Sequence, residues 1–159
     1  MHALCRKIGY VYPKTEKQKE KNRKESGMGR TELREHIFKL LFCREFNNPQ
    51  DMQEQLELYF GKMEGISDSD REYIEKKYRA AAEKLDELDE QINSHATRWK
   101  TSRMNKVDLT ILRLAVYEIK WDEEVPTSVA INEAVELAKK FSAEEAGAFV
   151  NGVLAKFVE

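Results

Sequence analysis

Two arginines four residues apart, Arg30 and Arg34, open the first segment with helical hydrophobic spacing, and Lys39 and Arg44 lie further along it. The chemistry open to such a group is anion binding. A helix N-terminus leaves backbone N–H groups without partners, and guanidinium groups add bidentate donors, so the pair can clamp a phosphate. The same spacing also describes an ordinary solvated face, and the residues alone leave both readings open. Phe42 belongs to the apolar stripe of this segment; exposed beside the arginines it would instead stack on an unpaired base. Further candidates interrupt apolar runs with polar groups, at Asn132-Glu133 and Asn151-Gly152. They read either as a cap or a polar interhelical bond, or as a set that bonds across helices and fixes their register, because a buried amide must find partners. In the second reading Gly152 lets two helices approach closely.

Nucleophilic, metal and redox chemistry lack their residues. His2, His36 and His95 are scattered, and no H-E-x-x-H, C-x-x-C or G-x-x-x-x-G-K motif occurs. Glu35 and His36 are adjacent, leave a helix on different faces and cannot share a ligand. Cys5 and Cys43 have no metal or redox spacing and read as reduced cytosolic thiols. The expectation is a non-enzyme with no catalytic residue, no metal site and no cofactor.

Charge distribution narrows the partner. The chain carries a net charge of −2, but residues 1–29 hold eight basic and three acidic side chains, a local charge of +5 against −7 for the rest. An acidic body cannot coat itself with nucleic acid at random, so any RNA contact must use a local patch. Within residues 13–29 the one apolar side chain is Met28. Residues 1–29 therefore read as a basic flexible arm that cannot offset the entropy of ordering, and Met28-Gly29-Arg30 resembles an alternative start. No apolar run approaches the roughly 18 residues that span a bilayer, and no secretory signal is evident. A cytoplasmic protein without membrane contact is expected.

The elements that must carry these residues all read as helices. A chain of 159 residues can bury a real core in one domain, and seven Gly and three Pro are few for a fold of many tight turns. Leu33, Ile37, Leu40 and Leu41 form the stripe of a first helix over about residues 31–46, capped by Thr31. Asn48 and Pro49 supply N-cap and first position of a second, whose buried face is Met52, Leu56, Tyr59 and Phe60. Ser69-x-x-Glu72 is a capping box heading one long third helix, with Ile74, Tyr78, Ala81, Leu85, Leu88 and Ile92 as its seam. Trp99 and Met104 anchor a short turn around residues 98–104. Helices follow over about residues 107–121, over 128–141 behind a Thr127 or Ser128 cap, and over 143–158 behind a second capping box, Ser142-x-x-Glu145. No run keeps the two-residue alternation of a strand. The architecture expected is all-α, with an arm over 1–29 and a helical domain over 30–159.

Three blocks in the last third form a specific text: V-D-L-T-I-L-R-L-A-V-Y-E-I from Val107, V-A-I-N-E-A-V-E-L-A-K-K-F from Val129, and F-V-N-G-V-L from Phe149. In this order and spacing they resemble the NusB family of bacterial transcription antitermination factors. The likeness spans roughly residues 29–158 and is strongest over 99–154. It implies two small three-helix bundles packed perpendicularly, about seven helices in all. It also implies binding to the single-stranded boxA element of ribosomal RNA leaders, together with the small-subunit ribosomal protein NusE, within an antitermination complex on RNA polymerase. By position it implies RNA contacts at Arg30, Arg34, Lys39, Phe42, Phe141 and Glu145, and a NusE-facing side at Asp108, Arg113, Tyr117 and Glu118. A homodimer stays open. Thr31 and Glu32 stand where family members often carry further arginines, which lowers the charge of that helix end. Two rivals remain: an RNA-binding module like that of rRNA cytosine methyltransferases, and a protein-only helical scaffold. The first needs a glycine-rich cofactor loop, which is not seen here; the second predicts full function without Arg30 and Arg34.

Overall fold

The structure, a computed structural model, describes residues 27–158. Most of the basic arm, residues 1–26, lies outside the described residues. Those described form seven α-helices and one 3₁₀ turn, with no strand among them. They fall into two compact units divided between Arg79 and Ala80.

In the first unit, α1 (Arg30–Glu45) packs against α2 (Pro49–Gly61). The N-cap of α1 is Gly29 without a side-chain bond, and Thr31 lies inside the first turn rather than at the cap. Buried residues occupy more than one face of α1, so Arg34 and His36 are enclosed along with Leu33, Ile37, Phe38, Leu40, Leu41, Phe42 and Cys43. His36 Nδ1 lies 2.5 Å from the Tyr59 hydroxyl, a polar tie between α1 and α2. The start of α2 is as its sequence reads: Asn48 Oδ1 accepts the Asp51 N–H at 2.8 Å, and Pro49 takes the first helical position. The cap of α3 (Asp68–Ala82) is Ser67, whose hydroxyl accepts the Asp70 N–H at 3.1 Å, so the expected Ser69 box is two residues out. Upstream, the Met28 N–H donates to Asp70 Oδ2 at 2.9 Å and holds the entry to α1 near the head of α3. Burial pushes the Tyr78 hydroxyl up to about 12, against the lowering influence of Arg44 and Arg79.

The expected long third helix is two. It breaks at Glu83–Lys84, where the Lys84 N–H turns back to the Ala81 carbonyl at 3.1 Å, and α4 (Leu85–His95) begins anew. Ile74, Tyr78, Ala81, Leu88 and Ile92 are all buried, so the apolar spacing continues through a break that no Gly or Pro announces.

In the second unit, α5 (Lys106–Trp121) is the hub against which α4, α6 (Thr127–Phe141) and α7 (Ala146–Ala155) pack. Ten of its sixteen residues are buried, including Asp108, Arg113 and Glu118. Asn105 caps it, accepting the Asp108 N–H at 2.8 Å. Two expected caps are absent. Pro126, without a side-chain bond, precedes α6 in place of a Thr127 or Ser128 cap. Ser142 does not cap α7; its hydroxyl donates to Asp108 Oδ1 at 2.5 Å, pinning the end of α6 to the start of α5. Among the described residues Asn132 and Asn151 make no bond across helices. Asn132 and Asn151 are exposed, Glu133 is half-buried, and no neighbour lies within 4 Å of a Cβ built on Gly152. At Gly147 such an atom would meet the Lys139 and Val135 side chains at an ordinary contact distance of 3.6 Å.

Candidate nucleic-acid interface

The residues expected to bind phosphate on α1 do not act together. Arg30 is exposed and has no acidic partner among the described residues. Arg34 is 4% exposed and already engaged within the protein, so burial removes it from a phosphate clamp. Lys39 is paired with Glu35 at 3.4 Å. Phe42 is buried, with the Phe38 and Phe46 ring centroids at 6.4 and 5.0 Å, and cannot meet a base. In the second unit, Phe141 is half-buried beneath the Lys140 ammonium, 5.4 Å from its ring, and Glu145 is exposed just before α7.

The residues expected to face a protein partner turn inward for the most part. Arg113 makes a bidentate pair with Asp89, Nε to Oδ1 at 2.7 Å and a terminal nitrogen to Oδ2 at 2.8 Å, which locks α4 onto α5. Arg113 is 7% exposed, so burial rather than pairing keeps its remaining donors from a partner's surface. Asp108 accepts from both Asn105 and Ser142, and Glu118 is 1% exposed. Their roles are structural. Tyr117 is half-exposed and stacks on Trp121 at 6.1 Å, while the Lys84 ammonium lies 4.7 Å from the Trp121 ring.

The connector between α4 and α5, with the start of α5, carries a charge pattern that helical spacing does not register. Residues 97–107 carry Arg98, Lys100, Arg103 and Lys106 and no acid, within a body whose net charge is negative. All four are exposed, and among the described residues Arg98, Lys100 and Arg103 have no acidic partner. Trp99, expected to anchor the turn, is 53% exposed and meets Phe149 edge to face at 6.2 Å; Met104 is the buried anchor. The signal was in plain sight as charge: four cations and no carboxylate in eleven residues of an acidic protein. Among the described residues no group of three or more His, Cys, Asp or Glu is placed to hold a metal, and no helix is long and apolar enough to cross a membrane.

Inward charges that fasten helices and an outward cationic, aromatic connector define an all-helical protein built to present a surface to a partner. Comparison with known proteins gives that class a family. Residues 31–159 match the NusB family. The transcription antitermination protein NusB of Agathobacter rectalis is 54% identical over 130 residues, covering 82% of this chain and 99% of that protein. The NusB of Lachnoclostridium phytofermentans is 46% identical over 132 residues, covering 83% and 100%. Among solved structures, T. maritima NusB aligns with a TM-score of 0.73 at 33% identity, covering 81% of this chain and 89% of that one. A complex of the antitermination factors NusB and NusE with dsRNA aligns at 0.66 and 26% identity, covering 79% and 92%. The chain belongs to the NusB family.

Proposed function

We propose that this protein is a transcription antitermination factor that binds boxA-type RNA of ribosomal leader transcripts together with NusE, as part of the antitermination complex on RNA polymerase. The observation that carries this reading is the family match over residues 31–159, which takes in all seven helices. The fold adds a physical reason for an adaptor. Its charged motif residues on α5 hold the second unit together, while cations and aromatic rings face solvent on the connector and at the Tyr117–Trp121 end of α5. An aromatic ring with a cation over it suits a protein contact, and Tyr117, stacked on Trp121, is the member of the expected NusE-facing side that reaches the surface. Basic residues in the segment 1–29 supply auxiliary phosphate contacts outside the helical domain. The protein works in the cytoplasm, where transcription occurs, and as a binding protein without catalysis.

The test is recovery from a bacterial lysate on the tagged full-length chain. NusE and ribosomal leader RNA should both be retained, and RNase treatment should weaken retention of NusE. Recovery of neither supports the protein-only scaffold and ends this reading.

A further inference from the structure

The connector between α4 and α5 is held rigidly and points its polar surface outward. The Asn93 amide both accepts the Thr101 N–H at 2.8 Å and donates to the Thr101 hydroxyl at 3.2 Å. The Arg103 N–H bonds to the Lys100 carbonyl at 2.9 Å, forming the 3₁₀ turn Thr101–Arg103. Thr101 and Met104 are buried, whereas Arg98, Trp99, Lys100, Arg103 and Lys106 are exposed. A large indole left 53% in solvent loses favourable burial. Here it does so on a segment that carries Arg98, Lys100, Arg103 and Lys106, where the Trp99, Thr101, Arg103 and Met104 N–H groups are bonded within the protein.

From this geometry we infer that Trp99, braced by Phe149 and flanked in sequence by the exposed Arg98, Lys100, Arg103 and Lys106, is a stacking platform for an unpaired base of single-stranded RNA. Every nucleobase has a π-face, so an aromatic ring captures a base without reading its identity, and the surrounding cations take up the flanking phosphates. The complementarity is local: an acidic strand meets an acid-free patch on an otherwise acidic body. Because the turn is fixed before binding, little ordering entropy opposes the contact. The platform rests on the RNA-binding function proposed above and adds a residue to it.

Two contributions separate under salt. Each neutralised phosphate adds about −0.7 to the log–log salt slope on a single strand, so Arg98, Lys100 and Arg103 together give about −2, whereas stacking adds affinity without changing the slope. The experiment uses the unaltered full chain, with Trp99→Leu as the blank that separates Trp99 emission from that of Trp121, and a single-stranded boxA oligoribonucleotide and its duplex as probes. Trp99 emission should be quenched saturably by the single strand and little by the duplex, whose bases are already stacked. Trp99→Leu should lower affinity for the single strand about tenfold at unchanged salt slope. Trp99→Phe should restore most of it, and Lys100→Ala with Arg103→Ala should reduce the slope by about 1.4. Single-strand binding that is unchanged in Trp99→Leu, with no quenching, overturns the platform and leaves the RNA-binding adaptor standing. Equal quenching by duplex overturns stacking as its mode. No RNA binding by the full chain with NusE present overturns both.

Discussion

Helix α5 and the connector that precedes it place charge in opposite ways. On α5, Asp108, Arg113 and Glu118 are buried in a helix packed on several sides, and the bonds of Arg113 to Asp89 and of Ser142 to Asp108 fasten neighbouring helices. On the connector, Arg98, Lys100 and Arg103 stand in solvent and have no acidic partner among the described residues. The stretch richest in family motif holds the unit together, and the plain turn beside it faces outward. A charged residue in a recognisable motif is therefore no guide to a contact surface until its burial is known. Helix α1 teaches the same: Arg30 and Arg34 are one turn apart, yet one is exposed and the other enclosed.

The contrast is sharpest between Arg113 and Arg103. Arg113→Ala leaves Asp89 without its bidentate partner and should cost about 3 kcal/mol of stability, with no specific effect on RNA once the fold is compensated. Arg103→Ala should stay within about 0.5 kcal/mol of wild type while weakening RNA binding. Urea unfolding of the two variants side by side reads this, and equal stabilities would break the comparison.

Tyr78 extends the contrast to titration. Its hydroxyl is raised from the ordinary 10.0 to about 12 because burial disfavours the phenolate, so the fold favours the neutral form. That stabilisation is fully present below pH 10 and is lost as pH rises toward 12. Between pH 9 and 11.5 the wild type should lose about 2 kcal/mol relative to Tyr78→Phe, which cannot ionise. Parallel denaturation midpoints across that range would show that Tyr78 is not buried in solution.

The smallest effect belongs to Asn151. Its amide is exposed, and Asn151→Ala should change stability by less than about 0.5 kcal/mol. A loss above about 1 kcal/mol in a thermal melt would reinstate it as a buried bonding group and restore the register argument.

Much of the fold was legible because helix spacing is a local property. The stripe Leu33, Ile37, Leu40, Leu41 and the Asn48–Pro49 start both stand where they were read. What was not legible depended on distant partners or on competing local signals. Ser142 leaves its capping position because Asp108, 34 residues away in sequence, offers a better acceptor. Ser67 and Ser69 each precede a carboxylate by three residues, and spacing alone cannot choose between them. The break at Glu83–Lys84 keeps the apolar seam intact and so leaves no trace in periodicity. The exposure of Asn132 was readable: Glu136 and Lys139 lie four and seven residues on, along the same outward face. On the candidate site, direction along each helix decided which of the expected side chains reach solvent.

The coupling between RNA and NusE tests the adaptor most directly. Anisotropy of labelled boxA RNA would be titrated with the full chain at about 0.1 M salt, with and without saturating NusE, and NusE binding measured with and without RNA. The account predicts that NusE tightens RNA binding about fivefold or more and that RNA tightens NusE binding by the same factor, as linkage requires. RNA affinity indifferent to NusE, or no RNA binding in either state, would contradict it.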